Sequence, residues 1–196
     1  FLGDMKAVVD AVRRVTQVPV ILGGAGYTLF PGELLRALGA DYGIVGEGER
    51  LRSLLDALEQ GGGRLSGAPP VGVAVRGLPA PRPTPWKGEI VRASPTQNPL
   101  LGWYLGHGGM LSLQTQRGCP FRCVYCTYPA IEGKALRPID LVQVGRSARE
   151  LQEAGARFLF ITDSSFNASP AHALEVARAQ QVGDVLAVAG LQRIEP

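Results

Sequence analysis

Arg117-Gly118-Cys119-Pro120-Phe121-Arg122-Cys123-Val124-Tyr125-Cys126 holds every cysteine of this 196-residue chain. The thiols stand as Cys-x-x-x-Cys-x-x-Cys, with an aromatic residue just before the last. Three thiolates this close together can wrap one inorganic cluster. Iron–sulfur clusters are normally held by four thiolates, so three on a four-iron cluster leave one iron open to a substrate or cofactor. Rival chemistries fit less well. Structural zinc wants four ligands, arranged as a short-gap pair and a distant second pair. No second pair exists here, and the only histidines are His107 and His172. A disulfide would leave an odd thiol and give no reason for the clustering.

On either side of the loop the chain reads as strands and helices in alternation. Leu111-Ser112-Leu113-Gln114-Thr115-Gln116 alternates apolar and polar residues, the period of a strand, and leads into the cysteines. Arg117 either pairs with an acidic group or lies on the surface. Beyond Tyr128–Gly133, Asp140 can cap a helix with Leu141, Val144, Ala148 and Leu151 along one face. Gly155 ends it, and Arg157–Thr162 is the next strand. Asp163-Ser164-Ser165-Phe166-Asn167 follows at that strand's carboxyl end, where Asp163 can close an Asx-type turn. Pro170 starts another helix, with His172 expected near its exposed beginning and without a function. Asp184–Gly190 reads as a third strand.

The first sixty residues repeat one rhythm. Asp4 is placed to cap a helix carrying Met5, Val8, Val9, Val12 and Val15. Val18–Leu22 is a short apolar run suited to a strand buried on both faces, and Gly23-Gly24-Ala25-Gly26 ends it. Pro31 suits the first turn of a helix with Leu34, Leu35 and Leu38, and Gly39 can stop it. Asp41–Val45 reads as a second strand running into Gly46-Glu47-Gly48-Glu49. A helix with Leu51, Leu54, Leu55 and Leu58 ends at Gly61-Gly62-Gly63. This alternation predicts a parallel α/β sheet, whose ligands bind outside the carboxyl ends of the strands. Both glycine-rich loops sit there.

The cysteine stretch with Tyr125 in place resembles the signature of the radical S-adenosylmethionine (SAM) enzymes. The resemblance implies that Cys119, Cys123 and Cys126 hold a [4Fe-4S] cluster whose open iron is chelated by SAM. Cleavage of SAM then yields a 5′-deoxyadenosyl radical. It further implies that Tyr125 packs beside the SAM adenine and that Asp163 binds the SAM ammonium, a charge-assisted hydrogen bond. The stretch Pro19–Thr28, followed by Asp41–Glu49, is similar to the C-terminal half of a cobalamin-binding Rossmann-like domain. That likeness places Gly23, Gly24, Thr28, Gly46, Glu47 and Gly48 at the cobalamin, since glycine lets backbone approach a ligand closely. Together the two likenesses imply an α/β protein in three parts. The C-terminal part of a cobalamin-binding domain spans 1–62, a Pro/Gly-rich linker 63–110, and the N-terminal part of a radical SAM (β/α) partial TIM barrel 111–196. The implied activity is methyl transfer to an unactivated carbon of a small-molecule or lipid-type substrate, with a flavodoxin- or ferredoxin-type electron donor. A non-methylating rearrangement or cyclisation, a radical SAM enzyme without cobalamin, and a zinc-binding module remain as alternatives.

Composition bounds the rest. The stretch 61–99 has eight prolines and seven glycines, which predicts an extended, stiff connector over the surface, partly packed at Trp86. Near its end Trp103, Tyr104 and His107 come together, with His107 expected to be structural. A formal charge of +3 from scattered basic residues does not imply nucleic acid. No apolar run reaches the length of a membrane span, the start is unlike a signal peptide, and reduced cysteines fit the cytoplasm. Beginning at Phe1 rather than methionine, the chain reads as a piece of a longer protein, expected to be inactive or unstable by itself.

Overall fold

A computed structural model describes residues 2–90 and 97–180, in two compact units. The first comprises Phe1–Gly88 with Arg122–Gly133, and the second Glu89–Phe121 with Lys134–Pro196.

In the first unit, α1 (Leu2–Val15), β1 (Ile21–Leu22), α2 (Ala25–Leu29), α3 (Pro31–Leu38), β2 (Tyr42–Ile44), α4 (Arg50–Gln60) and β3 (Val73–Val75) follow in order. Strands β1 and β2 are parallel, and β3 adds on antiparallel to β2, giving the order β1-β2-β3. Side chains alternate across a strand, so β2 divides the core. Tyr42 and Ile44 pack with Leu54 and Leu58 of α4 and with Val73. On the other face Val45 and Ala74 pack with Tyr27 of α2 and Leu35 of α3. Pro31 opens α3, and Gly39 closes it in the left-handed conformation at φ 69°. The sequence reading missed α2, because a helix this short, inside a glycine-rich stretch, leaves no periodicity to read. It also misplaced Asp4, which lies inside the first turn of α1 and not before it. Val9 is the buried residue of that helix, whereas Val8 and Val15 stay exposed.

Asp41 ties the amino ends of β1 and β2 to the carboxyl ends of α1 and β3. Its carboxylate accepts from Val20 N–H at 2.9 Å and Arg76 Nη2 at 2.9 Å, and it pairs with Arg13 of α1. Burial alone would raise this carboxyl. The Arg13 hydrogen bond, the Val20 N–H and the charges of Arg13 and Arg76 outweigh it and hold the group below its ordinary 3.8. A depressed carboxyl stabilises the fold fully above its unfolded value, and the gain is lost as pH falls through the folded one. Urea midpoints are therefore expected to hold above about pH 5 and fall below about pH 4, with part of that fall absent in Asp41→Asn.

In the second unit, α5 (Leu101–His107) precedes β4 (Met110–Leu113), β5 (Gln116–Arg117), β6 (Arg137–Pro138), α7 (Leu141–Glu153), β7 (Phe158–Ile161) and α8 (Pro170–Gln180). Strands β4 and β7 pair in parallel, Leu111 opposite Leu159. The connection between them carries α7, a βαβ unit as predicted. Leu113 and Leu159 pack with Val144, Ala148 and Leu151 of α7 and Val176 of α8. Asp140 caps α7 by accepting from Gln143 N–H at 3.1 Å. The expected strand at Asp184–Gly190 lies outside the described residues.

Candidate functional site

The cysteine loop leaves the carboxyl end of β4, and its base is closed by the antiparallel pair β5–β6, Gln116 opposite Pro138. Gly118 turns the chain at φ 86°, a value that favours glycine. Cys119 is buried, Cys126 half-buried and Cys123 exposed, and all three are free thiols. Cys126 N–H donates to the Cys123 carbonyl at 3.1 Å, so the last two cysteines bracket one tight turn. Among the described residues no group of three or more His, Cys, Asp or Glu side chains is gathered to hold a metal. The donor set nonetheless suits an iron–sulfur cluster in its chemistry: three free thiols and no disulfide. Tyr125 is 87% exposed beside it.

Behind the loop lies a buried polar network that the sequence did not reveal. The Asp163 carboxylate accepts from Thr115 N–H at 2.6 Å, Thr115 Oγ1 at 2.5 Å and Gln116 N–H at 3.2 Å. It thereby locks the exit of β4 to the exit of β7. A carboxylate offers about four acceptor positions, so one remains on Oδ2. Gln116 Nε2 donates to the Ser165 and Phe166 carbonyls at 2.6 and 3.2 Å, tying the same two segments again. His172 corrects the sequence reading. It is 6% exposed, not at the surface, and its Nε2 lies 3.0 Å from Thr115 Oγ1. The Thr115 hydroxyl has one proton, which it gives to Asp163, so His172 must be the donor through Nε2–H. Only the helix register of α8, which turns His172 inward, could have signalled this. Arg117 Nε donates to Gln114 Oε1 at 3.0 Å. His107 stays within its own helix, Nδ1 at 2.7 Å from the Trp103 carbonyl and stacked on the Trp103 ring.

In the first unit, the residues singled out at the two glycine loops separate into two sets. Gly23, Gly24 and Gly48 are exposed. A Cβ on Gly24, Gly26 or Gly48 would meet nothing within 4 Å, so this edge is open to a ligand. Thr28, Gly46 and Glu47 lie behind it. Thr28 Oγ1 donates to the Gly24 carbonyl and accepts from Gly46 N–H, both at 3.0 Å, which joins one loop to the other. Glu47 is 5% exposed, and its Oε1 accepts from Trp86 N–H at 2.6 Å. A separate hollow is lined by Arg13, Asp41, Arg64 and Arg76. It lies at the amino ends of β1 and β2, away from both loops.

The three-cysteine loop thus follows the first strand of a parallel βαβ unit at its carboxyl end. Residues 113–191 match the Radical SAM superfamily model. The chain is 27% identical to tryptophan 2-C-methyltransferase of Streptomyces laurentii, over 91% of its own length and 38% of that protein's. It is 29% identical to the radical SAM methyltransferase TsrM of Kitasatospora setae, solved with cobalamin and a [4Fe-4S] cluster bound. The TM-score is 0.76, with 91% of this chain and 37% of that one covered. The cobalamin-dependent radical SAM enzyme OxsB shares the fold at a TM-score of 0.63 and 19% identity, covering 85% of this chain and 25% of that one. The chain thus spans well under half the length of the relatives it matches. Among the described residues no helix is long and apolar enough to cross a membrane.

Proposed function

We propose that this chain belongs to a cobalamin-dependent radical SAM methyltransferase acting on a carbon of a small-molecule substrate. The observation that carries the reading is the set of three free cysteines leaving the carboxyl end of β4 in the parallel β4–β7 pair. Cys119, Cys123 and Cys126 would hold a [4Fe-4S] cluster, which when bound supplies the electron for reductive cleavage of SAM. Tyr125, exposed beside the thiols, offers its ring to the adenine. The free acceptor position on Asp163 Oδ2 suits the SAM ammonium, while the rest of that carboxylate holds the loop's entry still. Gly23, Gly24 and Gly48 would let backbone approach cobalamin. Thr28, Gly46 and Glu47 support that edge from behind. These groups bind and orient; the hard chemistry belongs to the cofactors. Similarity to two methyltransferases supports methyl transfer. The free thiols suit a cytoplasmic setting and a flavodoxin- or ferredoxin-type donor.

The test uses the full-length protein, reconstituted anaerobically with iron, sulfide and hydroxocobalamin. About four irons and one corrinoid per chain are expected, with a reduced paramagnetic resonance spectrum that changes on adding SAM. Cys123→Ala should lose most of the iron. Iron without corrinoid would leave a radical SAM enzyme lacking cobalamin, and zinc in place of iron would overturn the reading.

A further inference from the structure

The connector before Gly88 is exposed over residues 82–85, yet it is held at defined points. Arg50, the first residue of α4, is 4% exposed. Its Nη1 donates to the Val71 carbonyl at 3.0 Å, and its Nη2 to Thr84 O at 2.7 Å and Thr84 Oγ1 at 2.8 Å. The guanidinium carbon lies 5.8 Å from the centre of the Trp86 ring, within range of a cation–π contact. Gly72 makes room for it: a Cβ there would come within 2.4 Å of Arg50 Cδ. Glu47 holds the same connector from the adjoining turn, through Trp86 N–H.

The other side of the connector faces the chain that follows the last cysteine. A Cβ on Gly133 (φ +89°) would lie 2.6 Å from Pro85 Cγ, so Pro85 sits directly on that glycine. A Cβ on Gly46 (φ +91°) would lie 3.6 Å from Thr84 O and 3.8 Å from Ile131 O, where the three segments meet. The short helix α6 (Tyr128–Ile131) packs against α2, the helix that carries Thr28. Arg122–Gly133, with Cys123 and Cys126, accordingly belongs to the compact unit of the glycine loops.

We infer that Arg50 and Glu47 are positioning residues, which clamp the 84–86 stretch over the Gly46 turn and the 131–133 segment. The clamp thereby fixes the cysteine-bearing stretch 122–133 on the unit whose glycine loops face the cobalamin side. Its catalytic consequence rests on the function proposed above; its geometry does not. Arg50 carries three hydrogen bonds to two different connector carbonyls and one hydroxyl. Losing it frees Thr84, and Pro85 with it, from the turn. The distance from thiolates to corrinoid then varies, although each group is still held by its own ligands.

The experiment is hydrogen exchange on the full-length protein, wild type against Arg50→Met, which keeps the stem and deletes the donors. Amides of 122–133 are expected to exchange at least about tenfold faster in the variant, with those of β4 and β7 unchanged. Glu47→Ala, which removes the acceptor for Trp86 N–H, should accelerate exchange at 122–133 as Arg50→Met does. Thr84→Val, removing one acceptor only, gives a milder form if Arg50→Met does not fold. In reconstituted protein, iron and corrinoid contents should stay within about twofold, while SAM consumption under reducing conditions falls about tenfold or more. Unchanged exchange at 122–133 would overturn the clamp. So would equal acceleration across both units, which marks a general loss of stability; unchanged SAM consumption would overturn its catalytic consequence alone. Wild type that binds no corrinoid would sink the proposed function while leaving the exchange result standing.

Discussion

Asp163→Ala is expected to destabilise the second unit by about 3 to 5 kcal/mol, since each orphaned buried donor costs about 1 to 3 kcal/mol. Three donors lose their acceptor together: Thr115 N–H, the Thr115 hydroxyl and Gln116 N–H. Thr115 and Gln116 are both fully buried, so water does not readily replace the carboxylate. Asp163→Asn keeps one carbonyl oxygen but turns an N–H toward a donor, and should cost less than the alanine change. Thr115→Val removes the hydroxyl between Asp163 and His172, leaving the His172 donor unpaired. It should cost about 1 to 3 kcal/mol. Urea denaturation with matched slopes checks all three. Near-zero change for Asp163→Ala would mean that the carboxylate holds nothing, and would return it wholly to ligand binding.

Gly43→Ala is the second large effect. Gly43 lies in the middle of β2, under the ring of Tyr27. A Cβ there would fall 2.0 Å from the Tyr27 hydroxyl oxygen and 2.2 Å from Cζ, so the ring has to leave. Tyr27 is 4% exposed and packed in the core with Leu35, Val45 and Ala74. Overpacking of this kind costs about 1 to 3 kcal/mol. Its hydroxyl is also buried without a hydrogen-bond partner, and burial pushes its pKa up to about 12. Tyr27→Leu in the Gly43→Ala background should recover part of the loss. A coupling above about 0.5 kcal/mol in the double-mutant cycle is the expected sign that the two residues meet. The displacement would also reach Thr28, the next residue, and with it the hydrogen bonds that join the two glycine loops.

Local chemistry made part of this protein legible. Pro31, Gly39 and Asp140 mark helix ends because an imino ring, a missing Cβ and a short carboxylate each act on their own neighbours. The apolar runs before Gly23 and Gly46 lead into the β1–β2 pair, and Leu111–Gln116 leads into β4. The spacing of Cys119, Cys123 and Cys126 carries its chemistry in the sequence itself. None of these needs a distant partner to be recognised.

Tertiary structure decided what depends on partners far along the chain. Asp163 meets Thr115 and Gln116 only because β7 lies parallel to β4, and His172 turns inward only because α8 packs on that pair. Sequence periodicity reports which face is apolar; it does not report which buried polar atoms meet. The connector shows the same limit. Its prolines predict stiffness, but where that stiff stretch is held depends on Arg50, Glu47, Gly46 and Gly133 arriving beside it. The close spacing of the three cysteines was legible, while the division of their loop between two compact units was not. That division arises from packing of α6 on α2 and Gly133 on Pro85, contacts between residues some fifty to a hundred positions apart in sequence.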